Sequence, residues 1–429
     1  MNYRIRLTGA ATLRRPTAVC ARFGWSIVSF CIVTAAIADQ APSFPEVVHQ
    51  AERSSPRLVE LEASIDAADG RAKQAAAWPN PVAGAEVEDI AGTGAYRGTA
   101  QSQTTLTISE PLEFGGQRGA RAAAGRANLD VARARGVQQR ADFGFDLAVA
   151  FATAEAAQSR VDLLSQDSDR VQEDLRIAHA LVAAGKEGEL RVVQIDAAVA
   201  AAEAELASAR AEEIAALTRL GSLVGDESNY TSVKPSLLLT ANPVRAEALD
   251  ASESLTAPTI QTAQTERESA DRRLIVEQRR AIPTPSLSIG VRRIAGDDAT
   301  VWVAGFSIPI PLFDRNRGEI AAAHADVRAA DARLNAARLE VAAQRRAVAA
   351  QVIAANSRLA ATERGETAAR EAYRLARIGY EAGRTPLIEL LSTRRAFTDA
   401  QLHSLDARLA RVEAEASLAR LAGRIPFVE

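Results

Sequence analysis

Two kinds of apolar spacing alternate along this chain. Val161, Leu164, Ser168, Val171, Leu175, Ala178 and Val182 recur with a 3-4 rhythm, and so do Leu190, Val193, Ala197, Ala200, Ala204, Ala207, Ala211 and Ile214. The rhythm returns at Ile320, Ala323, Val327, Ala330, Leu334, Ala337 and Val341, and again at Leu402, Leu405, Leu409, Val412, Ala416 and Ala419. Such spacing puts one apolar stripe on each helix, and its small residues let helix backbones approach closely. It predicts long helices over about 116–184 and 315–382, each followed by a returning helix, about 188–222 and 386–423. At 1.5 Å per residue, each long helix would run roughly 100 Å.

Ahead of each long helix the period changes to two. In 286–293, "SLSIGVRR", Leu287, Ile289 and Val291 share one face. In 301–310, "VWVAGFSIPI", Trp302, Ala304, Phe306 and Ile308 do the same, and "TLTIS" at 105–109 alternates likewise. Strand pairs are therefore predicted over about 79–112 and 283–311. Strands of about ten residues fit a tilted crossing of a bilayer and equally fit a soluble hairpin set on a helical domain.

Proline marks the boundaries. None occurs in 112–234 or in 312–385, and prolines gather at Pro79, Pro81 and Pro111 and at Pro283, Pro285, Pro309 and Pro311. Long proline-free tracts are what unbroken helices need. Two junctions read alike, "PLEFGGQRG" at 111–119 and "PLFDRNRG" at 311–318, with one extra residue in the first. Two helix ends read alike as well, "RIAHALVAAGKEGELRVVQ" at 176–194 and "RLARIGYEAGRTPLIELLS" at 374–392. Gly185 and Gly383 suit left-handed helix caps, and Pro386 suits the first turn of the helix that follows. One unit is thus written twice, over 39–222 and 244–429, and 223–243, with "GDESNYTSVKP", reads as a surface linker.

Composition narrows the picture. Aromatic residues make up only 4% of 429 residues, so close helix packing is favoured over a wide core. Residues 1–38 carry five arginines, no acid, the apolar run "WSIVSFCIVTAA" and an "AIA" end, the order of a secretory signal peptide. An anchoring helix is the other reading of that run. Without the leader's five arginines, 46 basic residues face 54 acidic ones, and both cysteines, Cys20 and Cys31, are gone. A mildly acidic chain is a poor nucleic-acid binder. No later apolar run is long enough for a membrane helix, so any membrane crossing has to be a barrel.

The chain resembles the TolC family of outer-membrane channel proteins over essentially its whole length past residue 38. It is most similar to the outer-membrane components of heavy-metal cation efflux systems of the cobalt–zinc–cadmium type. The residues that carry this are "WPNP" (78–81), "EPLEFGGQRGAR" (110–121), "PIPLFDRNRGEI" (309–320) and the two helix tips. The resemblance implies a mainly α chain with a β-hairpin pair in two structural repeats. It further implies a homotrimer whose twelve strands close an outer-membrane barrel, continued by a long periplasmic helical barrel. It also implies a periplasmic adaptor at the helix tips, an inner-membrane pump, outer-membrane lipid around the strands, and no cofactor.

Carried over position by position, the adaptor contacts would be Arg176, Ala183, Gly185, Arg374, Gly379, Gly383, Arg384 and Thr385. The first tip departs from the pattern, with Gly188 where the second has Pro386, and turn chemistry alone accounts for the glycines. Glu389 falls where related channels narrow their entrance with carboxylates, and Ser392 stands where a second acid would be. Glu389 reads either as part of a cation-attracting ring or as a solvated helix-face glutamate. Arg191, at the matching place in the first repeat, could pair with a nearby acid. The lipid-facing strand residues would be Leu287, Ile289, Val291, Trp302, Phe306 and Ile308.

No catalytic constellation is present. His49, His179, His324 and His403 lie far apart, without a Cys or His at metal-ligand spacing. "LEFGGQRG" lacks a phosphate-loop lysine. Three readings remain open on sequence: a channel for divalent heavy-metal cations, the same channel for organic compounds or a polypeptide, and a soluble periplasmic coiled-coil adaptor.

Overall fold

The computed structural model describes residues 40–225, 230–240 and 257–428. The expected leader, 1–38, lies outside them.

The short strand β1 (Gln40–Ala41) precedes helices α1 (Phe44–Ser54) and α2 (Pro56–Ala75), then the hairpin β2 (Val82–Glu88) and β3 (Gln103–Pro111). The long helix α3 (Gln117–Ala183) and its return α4 (Glu189–Val224) follow. A connection with β4 (Ser232–Val233) and α5 (Leu237–Thr240) leads to α6 (Pro258–Arg280). The second hairpin, β5 (Ser286–Ile294) and β6 (Ala299–Ser307), leads into α7 (Arg317–Glu381) and α8 (Leu387–Leu421).

The two hairpins form one antiparallel sheet in the order β2-β3-β5-β6. Pairing of β3 with β5, Leu106 opposite Val291 and Ile108 opposite Ile289, joins the repeats. Strands β2 and β6 are the sheet's outer strands, each with one side unpaired.

Both long helices begin at a left-handed residue, Gly116 (φ 75°) for α3 and Asn316 (φ 56°) for α7. The two lie the same distance beyond Pro111 and Pro311. Matching the letters of the junctions would set Asn316 against Gln117, but the backbone sets it against Gly116. Asparagine is one of the few side chains that tolerate this conformation. Its amide also donates to the Glu277 carbonyl and carboxylate, both at 2.8 Å, which ties α7 to the end of α6. In the first junction Arg118 stacks on Trp78, 4.4 Å from its ring centre, and donates to the Ala76 carbonyl at 2.7 Å. Arg121 closes an ion pair with Glu113. These contacts explain why "WPNP" and the first junction belong together.

Away from the sheet, α4 pairs with α3, α3 with α8, and α8 with α7, so α4 and α7 are the outer members of this row. Nearer the sheet the row is α2, α3, α6, α7. Fully buried Ala148, Ala152 and Ala154 let α3 lie close against its neighbours. The largest core gathers Phe44, Leu147, Phe151, Leu220, Leu223, Tyr230, Val233, Leu237, Leu238, Leu405 and Val412. The stretch read as a surface linker is thus partly packed: Tyr230, Val233, Leu237 and Leu238 are core residues. Buried Glu155 holds it there, accepting the backbone N–H of Leu237 at 3.0 Å and of Leu238 at 3.3 Å. Burial raises the Glu155 carboxyl pKa, and the backbone donors oppose that shift.

Candidate functional site

Three places bear on function: the sheet, the helix tips, and a polar cluster between the repeats.

On the sheet, pairing sets Leu287 opposite Phe306, Ile289 opposite Ala304 and Val291 opposite Trp302. With Leu106 and Ile108 they build one apolar face, and Trp302 (78%) and Phe306 (66%) stand largely exposed on it. Ile308 is exposed too, one residue past the end of β6. The opposite face is mainly polar, with Val82, Val301 and Val303 among its residues. There Arg292 reaches Glu88 at 3.1 Å, the Thr105 hydroxyl at 2.9 Å and the Gln103 amide oxygen at 3.2 Å.

Each tip is closed by a glycine with φ 68°, Gly185 or Gly383. At the first, Gly185 N–H donates to the Val182 carbonyl and Lys186 N–H to Leu181, both at 2.9 Å. At the second, Gly383 N–H donates to Tyr380 at 2.9 Å and Arg384 N–H to Gly379 at 2.8 Å. A Cβ on Gly379 would come within 2.1 Å of the Thr385 hydroxyl, so this glycine makes room for the threonine after the turn. Arg374 holds Glu371 through two nitrogens at 2.6 and 2.8 Å, and Arg176 pairs with Glu173 at the matching place. Ala183 is the last residue of α3. Glu389 is exposed in the first turn of α8. Arg191 pairs with Glu187 of its own tip at 3.2 Å.

Farther up the helices lies a cluster that the sequence reading did not single out. Arg394 of α8 donates to Asp167 of α3 at 2.5 Å, and Thr398 donates to the other Asp167 oxygen at 2.7 Å. Both charged side chains are more than nine-tenths buried. Beside them Tyr373 stacks on Phe397 at 5.9 Å, and the Arg170 guanidinium lies over Phe397, 5.4 Å from its ring centre. Asp174, two turns from Asp167, is 3% exposed and its Oδ2 has no hydrogen-bond partner. A signal was available: Asp167 and Asp174 are spaced by a heptad beside the apolar positions Ser168, Val171 and Leu175, where solvated acids do not belong.

Burial raises the Asp174 carboxyl to about 6; Arg394 and Arg377 oppose this, and Asp167 and Glu381 add to it. The folded value lies above the ordinary 3.8, so the fold favours the neutral acid. Its stabilising contribution is complete below the ordinary value and is lost as pH climbs through about 6. Asp174→Asn is therefore expected to gain on the parent by roughly 2–3 kcal/mol as pH rises through that window. Unfolding of the detergent-solubilised protein at several pH values measures it, and a pH-independent difference would refute the assignment.

Among the described residues no group of three or more His, Cys, Asp or Glu is placed to hold a metal ion, and no helix is long and apolar enough to cross a membrane.

The family described as "Outer membrane efflux protein" matches residues 47–226 and 252–424. The chain belongs to this family. Its place is therefore the outer membrane, with a periplasmic extension, and its activity is transport, not catalysis. Membership removes the reading as a soluble adaptor. The efflux protein is 42% identical over 392 residues to the nickel-cobalt-cadmium resistance protein NccC of Alcaligenes xylosoxydans xylosoxydans, covering 91% of this chain and 89% of that one. To the nickel and cobalt resistance protein CnrC of Cupriavidus metallidurans it is 43% identical over 302 residues, covering 70% and 71%. Its fold is that of the outer-membrane channel OprN, with a TM-score of 0.76 at 23% identity and 89% of each chain covered.

Proposed function

We infer that this efflux protein is the outer-membrane outlet for divalent heavy-metal cations in a tripartite system, fed by a periplasmic adaptor and an inner-membrane pump. The single observation that carries the cargo is the identity to NccC and CnrC, whose names specify nickel, cobalt and cadmium. The sheet supports the transmembrane part. One face is apolar and exposed, the other mainly polar, and both outer strands have an unpaired side. Lipid tolerates no open strand edge, so four strands per chain require copies to close the barrel. A homotrimer of twelve strands meets that requirement, with Leu287, Ile289, Val291, Trp302, Phe306 and Ile308 toward lipid.

On this reading the tips formed by Arg176, Ala183, Gly185, Arg374, Gly379, Gly383, Arg384 and Thr385 face the adaptor. Glu389 and Arg191 stand at the entrance. Selection among cations would lie with the pump, since the channel chain offers no metal-ligand cluster among its described residues. Deleting the gene is expected to raise sensitivity to Ni²⁺, Co²⁺ or Cd²⁺, and the intact gene to restore resistance. An unchanged metal profile together with new sensitivity to organic compounds would overturn the cargo and leave the channel standing.

A further inference from the structure

The end of the sheet away from the helices gathers the charges of its polar face. Glu88 closes β2, Gln103 opens β3, and Arg292 lies two residues before the end of β5. By register Glu88 faces Gln103, while Glu86, Thr105 and Arg292 share the next row inward. Among the strand residues of this face Arg292 is the only basic one, and Glu86 and Glu88 are the acids.

Arg292 does not stand out from the wall. Its side chain runs diagonally across β3. Nε donates to the Thr105 hydroxyl at 2.9 Å, Nη1 to the Gln103 amide oxygen at 3.2 Å, and Nη2 pairs with Glu88 of β2 at 3.1 Å. Thr105 is buried. The next residue gives the contrast. Arg293 points to the apolar face, pairs with Asp298 of the adjoining turn, and its side chain is 67% exposed against 32% for Arg292. An exposed ion pair alone gains little and does not fix a side chain. Three acceptors on two other strands, matched to the planar fork of one guanidinium, do fix it.

We propose that Glu88, Thr105 and Gln103 are positioning residues for cation passage: they hold the Arg292 charge against the wall at the outer mouth of the barrel. Glu86, exposed and without an ion pair among the described residues, is then the charge that a departing cation meets. This inference rests on the trimeric barrel proposed above, with the polar face inward.

The dimensions make the placement matter. Twelve strands about 4.8 Å apart and tilted about 40° close a cylinder of about 12 Å radius. An arginine released from the wall reaches well toward the axis and comes within roughly 8 Å, the Debye length at physiological salt, of any ion there. Three released copies would set a positive ring across the exit, and a divalent cation feels twice the repulsion of a monovalent one. Held down, each Arg292 offsets its Glu88, and each chain offers one free carboxylate.

The test reads the potential at the outer mouth alone. In the full chain with Cys20→Ser and Cys31→Ser, Val303→Cys places a thiol on the same face, opposite Gly290 and one polar row inward of Arg292. The purified trimer in detergent is treated with a cationic and an anionic methanethiosulfonate of similar size, and the ratio of the two rates is normalised to that of a free thiol. Glu88→Gln is expected to lower the cation-to-anion ratio at least about fivefold. Arg292→Lys keeps every charge, but its ammonium cannot span the three acceptors, so the ratio should fall about twofold to threefold. Glu88→Gln with Arg292→Gln should return to the parent ratio, because Glu86 is again the free charge. Monomers, or a Val303→Cys thiol that neither reagent reaches, would overturn the barrel and this inference with it. Equal ratios in all variants of an intact trimer would overturn the inference and leave the barrel standing. A fall in Glu88→Gln with Arg292→Lys at the parent value would mean that the sum of charges and not their placement sets the potential, and would overturn the positioning role. A double variant as low as Glu88→Gln would overturn it as well.

Discussion

Arg394→Ala is expected to lower the unfolding free energy of the efflux protein by roughly 3–5 kcal/mol, the usual cost of leaving one partner of a buried ion pair alone. The guanidinium sits 2.5 Å from Asp167 in a site where both side chains are more than nine-tenths buried. Removing it leaves the Asp167 carboxylate with the Thr398 hydroxyl, 2.7 Å away, and no counter-charge in hydrogen-bonding reach. Asp174 loses as well, because Arg394 is the first of the charges that favour its ionised form. The measurement is the urea midpoint of the detergent-solubilised chain, followed by helical circular dichroism. Pairing Arg394→Leu with Asp167→Asn is expected to recover most of the loss, since replacing both charges removes the orphan. Thr398→Val should cost about 1 kcal/mol, one hydrogen bond to a carboxylate that keeps its arginine. If Arg394→Ala stayed within about 1 kcal/mol of the parent, the clamp would be a surface-like pair with no structural weight.

That clamp marks the limit of what spacing along a chain can tell. The 3-4 rhythm through Val161, Leu164, Val171 and Leu175 announces a helix with an apolar stripe, and period two through Leu287, Ile289 and Val291 announces a strand with an apolar face. The mainly helical class and the family's architecture follow from such local signals, because backbone geometry alone fixes those periods. Partners are another matter. Nothing in "DSDR" or "STRRAFT" says that Asp167 meets Arg394, since the two are brought together only when α3 lies on α8. Likewise the alternation in 105–109 and 286–293 gives two hairpins and not their joining through β3 and β5. Polar letters misled at 230–238. "YTSVKPSLL" looks like exposed connection, but Glu155 accepts the backbone N–H groups of Leu237 and Leu238, and Tyr230, Val233, Leu237 and Leu238 fill a core. At the second junction the letters set the amide of Asn316 against Gln117, and only the left-handed backbone shows that it stands in for a glycine. At the sites, the sequence named both tip glycines and the exposed apolar strand residues because turns and alternation are local. It missed Asp167, Asp174, Arg394 and Thr398 because their role is made by a neighbour distant in sequence.

Gly290→Val is expected to abolish assembly in the outer membrane. Gly290 lies in β5, opposite Thr107 of β3 and Val303 of β6. A Cβ there would come within 2.2 Å of the Leu106 carbonyl oxygen and 3.0 Å of the Thr107 Cα, both backbone atoms of the paired strand. A side chain at that distance could be swung aside; a backbone in a ladder cannot move without breaking the hydrogen bonds around it. The cost is therefore at or above the upper end of the roughly 1–3 kcal/mol that overpacking usually takes. It falls on the one pairing that joins the two hairpins of a chain. With β3 and β5 apart, each hairpin is a two-stranded ribbon, which is marginal by itself and, on the barrel proposed above, would expose more unpaired edge to lipid. The measurement is the amount of folded, oligomeric protein in washed outer membranes, read by mobility on a gel before and after heating. Gly70→Ala is the matched control. Gly70 is exposed in α2 with open space around its Cβ position, so alanine there should gain about 0.5–1 kcal/mol from helix propensity and assemble normally. Normal oligomer levels for Gly290→Val would mean that β3 and β5 do not lie against each other as described, and the seam between the repeats would have to be drawn elsewhere.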